Sequence, residues 1–183
     1  MKRAAFVLGS FDYRSIKKGD AYPDATLDML DGIATHAGVN AGIVTCIQEP
    51  MHAGWSKSKL GIKRIRAEQA RVLDEITAMK PDVVIAFGPV ASACIWGKGN
   101  LVEGELLRKE HRPMGDEFAP VFVTFSLENC KYSAGLQKWL KLDVEAAVHG
   151  WSDPEFGDYD ILLPGTPEWD VKPEWLTMED GYV

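Results

Sequence analysis

Four short apolar runs, separated by stretches of helical periodicity, constrain this chain more than anything else in its sequence. Ala4-Ala-Phe-Val-Leu8 ends at Gly9, and Ala41-Gly-Ile-Val-Thr-Cys-Ile47 is broken by Pro50. Asp82-Val-Val-Ile-Ala-Phe87 turns at Gly88-Pro89, and Val121-Phe-Val-Thr-Phe125 runs into Ser126. Runs of this length without polar alternation fit strands covered on both faces. Between them, Leu27, Leu30, Ile33 and Ala37 recur at helical spacing before Gly38. Arg64, Ala67, Ala70, Leu73, Ile76 and Met79 do the same before Pro81, and Leu136, Trp139, Leu140, Val144 and Ala147 follow the last run. Val90 to Trp96 reads as a shorter helix. Strands alternating with helices need right-handed crossovers, so the expected fold is a three-layer α/β/α domain with a four-stranded, mostly parallel sheet. Ligands in such sheets bind beyond the strand C-termini. That rule nominates the loops at 9–24, 48–59, 88–91 and 126–133.

The 183-residue length suits one domain plus a tail. Net charge is −7, but residues 151–183 hold nine acidic residues and one lysine, which leaves 19 basic against 18 acidic residues in 1–150. The boundary expected from this shift is a domain over 1–150 and an acidic tail or interdomain linker over 151–183, with four prolines and three tryptophans that suggest docking. No apolar run approaches the ~18 residues of a membrane span, so a soluble cytoplasmic protein with no membrane partner is expected. Cys46, Cys94 and Cys130 lie far apart, without the close paired spacings of zinc or iron-sulfur sites. They read as reduced thiols, and neither metal nor cofactor is expected.

Read in order, the segments resemble the thermophile-type uracil-DNA glycosylases over roughly the first 148 residues. Tyr22-Pro-Asp-Ala-Thr-Leu-Asp-Met-Leu30 is similar to that family's aromatic, small-residue turn and helix opening. Lys80-Pro-Asp-Val-Val-Ile-Ala-Phe-Gly88 is similar to its Lys-Pro-x-Val-Ile-Val-Ala-Leu-Gly strand. Arg112-Pro113, the run at Val121 and Trp139 with Asp143 follow in the family's order. The functional motifs depart from it. The family's Gly-Glu-x-Pro-Gly loop stands here as Gly9-Ser-Phe-Asp-Tyr13, its uracil-reading asparagine aligns with Thr45, and its His-Pro-Ser aligns with Ser126-Leu127-Glu128. Its iron-sulfur cysteines have no counterparts, and Glu49 stands at one ligand position.

The resemblance implies a uracil-glycosylase fold in DNA replication or repair whose excision activity is lost or altered. It implies a DNA- or protein-binding module, with a polymerase or other replication protein expected as a partner through the tail. Similar domains precede polymerase domains in some phage replication proteins. The alternative is an active glycosylase with a non-standard residue set. Base excision needs a stacked, extruded nucleotide, an edge-reading hydrogen-bond pair, a positioned water and stabilisation of the departing base anion. Asp12 is the candidate to orient water, or else caps a turn. Tyr22, Thr45, Ser126 and Asn129 are candidate base-binding residues, against structural roles as a core aromatic, neutral hydrogen-bonding groups and a turn cap. Lys57, Lys59, Lys63 and Arg64, with Arg66 and Arg71, read either as phosphate contacts or as a solvated helix face. Trp55 is a base wedge or a packed loop residue; His52 and His111 are the only loop imidazoles; Arg108, Lys109 and Arg112 form a smaller basic cluster.

Overall fold

The structure, a computed structural model, describes residues 1–11, 22–51, 55–97, 110–112, 114–130 and 133–150. The chain divides into two units, Met1–Ser152 and Asp153–Val183, and the second lies wholly outside the described residues. In the first unit the elements run β1 (Lys2–Phe11), α1 (Asp24–His36), β2 (Val39–Pro50), a single 3-10 turn (Trp55–Lys57), α2 (Lys59–Met79) and β3 (Val83–Phe87). They continue with α3 (Gly88–Trp96), β4 (Glu110–His111), β5 (Val121–Thr124), α4 (Leu127–Cys130) and α5 (Ala134–His149).

The sheet order is β2-β1-β3-β5-β4, with parallel pairing throughout except for the antiparallel β4–β5 pair. The α/β architecture and its mostly parallel sheet follow the four apolar runs. The sheet nevertheless has five strands rather than four. The fifth is Glu110–His111, which pairs with Phe122 and Val121 and covers the outer edge of β5. Two polar residues have neither an apolar run nor an alternation to reveal them. The four-residue α4 inside the 126–133 loop was equally invisible to periodicity, being a single turn.

Side chains of the three central strands alternate between two cores, whereas in β2 the successive Cys46 and Ile47 share one. Phe6 and Leu8 of β1 join Ile85 and Phe87 of β3 and Phe122 of β5 under α1 and α5, with Leu30, Ile33, Leu140 and Val144. Ala5, Val7, Val84, Ala86 and Val123 face α2 and α3 instead, against Ile65, Val72, Ile76 and Ile95. Ile65, Val72 and Ile76 are fully buried on one stripe of α2. Each such side chain contributes roughly 1.5–3 kcal/mol relative to exposure. The Ser58 hydroxyl caps the N-terminus of α2 by accepting from Gly61 N–H at 3.0 Å, and Lys80 at φ 47° ends the helix before Pro81.

Candidate functional site

Parallel β/α order places the N-terminus of each crossover helix at the sheet edge where the strands end. The connection from β1 through α1 goes outward to β2, whereas that from β3 goes the other way to β5, so the direction reverses between β1 and β3. The crevice beyond such a reversal is where open α/β sheets take ligands. Two backbone approaches close its floor. A Cβ on Gly9, near the end of β1, would lie 3.1 Å from the Cβ of Val90 in the first turn of α3. A Cβ on Gly88 would lie 2.6 Å from the Cβ of Ser126 beyond β5, and Gly88 adopts φ +83°. Glycine is therefore required at 88 on both counts.

The four longer helices differ at this edge. α2 and α5 are capped by serine side chains, Ser58 on Gly61 N–H and Ser133 on Leu136 N–H. α1 and α3, the helices that leave the two switch strands, start from Pro23 and Phe87 and have no side-chain cap. Neither start has a side-chain acceptor, but Thr26 N–H already donates to the Pro23 carbonyl at 2.8 Å, Asp24 puts a carboxylate in the first turn of α1, and Pro89 has no N–H to offer in α3.

Tyr22 is 8% exposed, and its hydroxyl shares a 2.7 Å hydrogen bond with the Thr45 hydroxyl in the α1-side core. Burial pushes the phenol up, so it stays protonated. Phe11 meets the Tyr22 ring edge-on, with centroids 5.8 Å apart. The ring of Tyr22 is thus a wall of the core, and Phe11 at the end of β1 is a half-buried aromatic packed against it. Composition offered one signal for Phe11, an aromatic in the loop behind Gly9, which the alignment to a degenerate motif obscured.

Thr45 is buried with Tyr22, while its carbonyl and that of Cys46 accept from Arg71 Nη2 at 2.9 and 2.7 Å. Ser126 is half-buried and its hydroxyl accepts from the Asn129 N–H at 3.4 Å, opening α4. The Asn129 side chain is exposed on that turn. Beneath it, Thr124 donates to Asp143 at 2.7 Å, and Asp143 is 5% exposed. Burial and then the Asp143 charge raise the Cys130 thiol. This buried carboxylate anchors α5 to the end of β5.

Lys57, Lys59 and Lys63 are exposed around the start of α2, at the same sheet edge. Arg64 pairs with Glu49 at 2.5 Å, and Arg71 is committed to Glu68 and Glu75. Burial opposes the Arg71 charge, yet the two carboxylates outweigh it and raise its pKa further. The basic stretch therefore splits into three exposed lysines and the exposed Arg66, against Arg64 and Arg71, which are held in ion pairs. Trp55 packs against the α2-side core, and a side chain at Gly61 would collide with its carbonyl. His111 lies on β4 with its ring 5.9 Å from that of Trp96, away from the crevice. Arg112 bonds Glu110 at 3.0 Å. Asp12, His52, Arg108, Lys109 and the tail lie outside the described residues.

Among the described residues no group of three or more histidine, cysteine or carboxylate side chains converges in a way that holds a metal, and no helix is long and apolar enough to cross a membrane. No protein-family model and no curated protein sequence matches the chain.

Proposed function

We propose that the domain is a nucleic-acid-binding module of the uracil-glycosylase type, engaging single-stranded or distorted DNA at the C-terminal edge of its sheet without efficient base excision. The observation that carries this reading is the group of three exposed lysines at the start of α2, on the same sheet edge where α3 begins without a side-chain cap. Phosphates are the natural ligand of both. Lys57, Lys59 and Lys63 contact the backbone, and the half-buried Phe11 is the candidate to stack on a base.

Edge reading then falls to the Ser126 hydroxyl and the Asn129 amide, because Tyr22 and Thr45 satisfy each other inside the core. Neutral groups can hold a base. They cannot match an imidazole in stabilising a departing base anion, so binding outlasts chemistry in this reading. A replication protein that docks through residues 151–183 remains part of the same proposal, resting on the composition of that segment.

Fluorescence anisotropy with a single-stranded oligonucleotide tests the reading. Affinity falls with salt, and replacing Lys57, Lys59 and Lys63 together with alanine lowers the salt slope by roughly 2, at about 0.7 per phosphate contact on a single strand. Binding whose slope is untouched by the triple variant would refute the placement of the interface.

A further inference from the structure

The outer edge of β2 plays no part in the site above. β2 pairs with β1 alone, and among the described residues nothing pairs with its other side. A strand edge presents unsatisfied N–H and C=O groups, which proteins guard with charges, prolines, bulges or a covering segment. In β2 the guard is confined to one end, where Arg71, gripped by Glu68 and Glu75, donates to the carbonyls of Thr45 and Cys46. The preceding stretch, Val39-Asn-Ala-Gly-Ile-Val44, has neither a charge nor a proline.

Two recesses flank this same stretch, one on each face of the sheet. On the α1 side a groove of about 400 Å³ is lined by Leu27, Asp31, Ala34, Ala41 and Ile43. On the α2 side a recess of about 220 Å³ is lined by Arg3, Asn40, Gly42, Met79 and Pro81. A docked helix or a small ligand would fill one of them. An added β-strand sends successive side chains to opposite faces and needs both.

We propose that Val39–Val44 pairs with the same stretch of a second copy, antiparallel across a two-fold axis, so that the sheet continues through a dimer. Residues directly opposite in an antiparallel pair share a face, so they have the same parity when a strand meets its own copy. Ile43, 41% exposed, then lies over Ala41 or Val39 of the other copy, and the reverse contact forms by symmetry. Leu27, also 41% exposed, covers the seam from α1. A neutral stretch meets its own copy without like-charge repulsion, which is the charge match that favours self-pairing over a charged peptide. The pairing satisfies the edge's backbone groups and buries the largest exposed side chain on the strand. This inference is independent of the nucleic-acid reading.

Light scattering coupled to size exclusion, on the full chain at rising concentration, reads the mass. The expected result is a rise to twice the 20.2 kDa chain mass, with Ile43→Lys remaining at the single-chain mass and keeping the wild-type circular dichroism. Hydrogen exchange on the wild-type chain supplies a readout that needs no variant: the alternate Val39–Val44 amides that face away from β1 slow as the dimer fills. A single-chain mass at every concentration overturns the proposal, as does a dimer that survives Ile43→Lys or one that leaves those amides fast. Outward-facing amides already protected in the monomer also overturn it, because something within the chain then covers the edge.

Discussion

Replacing Gly88 with alanine probes the junction on which the crevice depends. Gly88 turns the end of β3 into α3 at φ +83°, where an L side chain costs about 1–2 kcal/mol. The new methyl would also stand 2.6 Å from the Ser126 Cβ and 3.0 Å from its Cα, and the second of these is backbone that cannot swing away. Overpacking of this kind costs about 1–3 kcal/mol. The lower entropy of the unfolded alanine chain returns roughly 0.4–1 kcal/mol. The net expectation is a loss of about 3 kcal/mol, or roughly 6–12 °C in Tm for a domain of this size. Urea denaturation with an unchanged slope measures it, and Ser126→Gly supplies the second arm of a double-mutant cycle. Removing the Ser126 Cβ relieves the closest contact but not the backbone strain, so the double variant should recover roughly half of the loss once the Ser126→Gly single variant is subtracted. A Gly88→Ala change within about 0.5 kcal/mol of wild type would refute the reasoning, placing it among ordinary surface substitutions.

Two further outcomes follow from the buried polar groups. Arg71→Met leaves the Thr45 and Cys46 carbonyls short of a donor and should cost about 1–3 kcal/mol in urea midpoint terms, whereas a loss near zero would show that the guanidinium merely decorates α2. A hydrogen bond with the Cys94 thiol and then burial raise Cys46, burial and then Asp143 raise Cys130, and burial raises Tyr22. Each group holds its proton longer when folded, so the unfolded chain binds fewer protons above the ordinary thiol pKa and stability falls as pH rises. The urea midpoint should decline from about pH 8.5 upward, with a second decline above about pH 10 that Tyr22→Phe reduces. A midpoint that rises through this range would reverse the assignment.

The layers of the fold were legible because each buried strand is a continuous apolar run, and each of the four longer helices ends at a glycine or proline. Gly38 and Pro81 mark the stops of α1 and α2 as their chemistry requires. What escaped was short or polar. Glu110–His111 joins the sheet through backbone bonds that side-chain pattern does not encode, and α2 starts at Lys59, before its first periodic apolar residue, because Ser58 caps it. The candidate site divides in the same way. The edge of the sheet was predictable from topology, but Tyr22 and Thr45 turned inward to each other, and Arg71 turned from phosphate candidate to brace. Pair geometry of that sort depends on which helix face meets which strand, and a linear reading holds no distance between residues 22 and 45 or between 46 and 71.

The most direct measurement incubates the chain with single-stranded and double-stranded oligonucleotides carrying uracil or related bases, scoring binding and alkali-labile abasic sites in the same tubes. The account predicts salt-sensitive binding that the Lys57, Lys59 and Lys63 changes weaken, with no abasic sites formed. Base-specific abasic sites would contradict it and reveal a working glycosylase, and the absence of binding at low salt would remove nucleic acid from the account altogether.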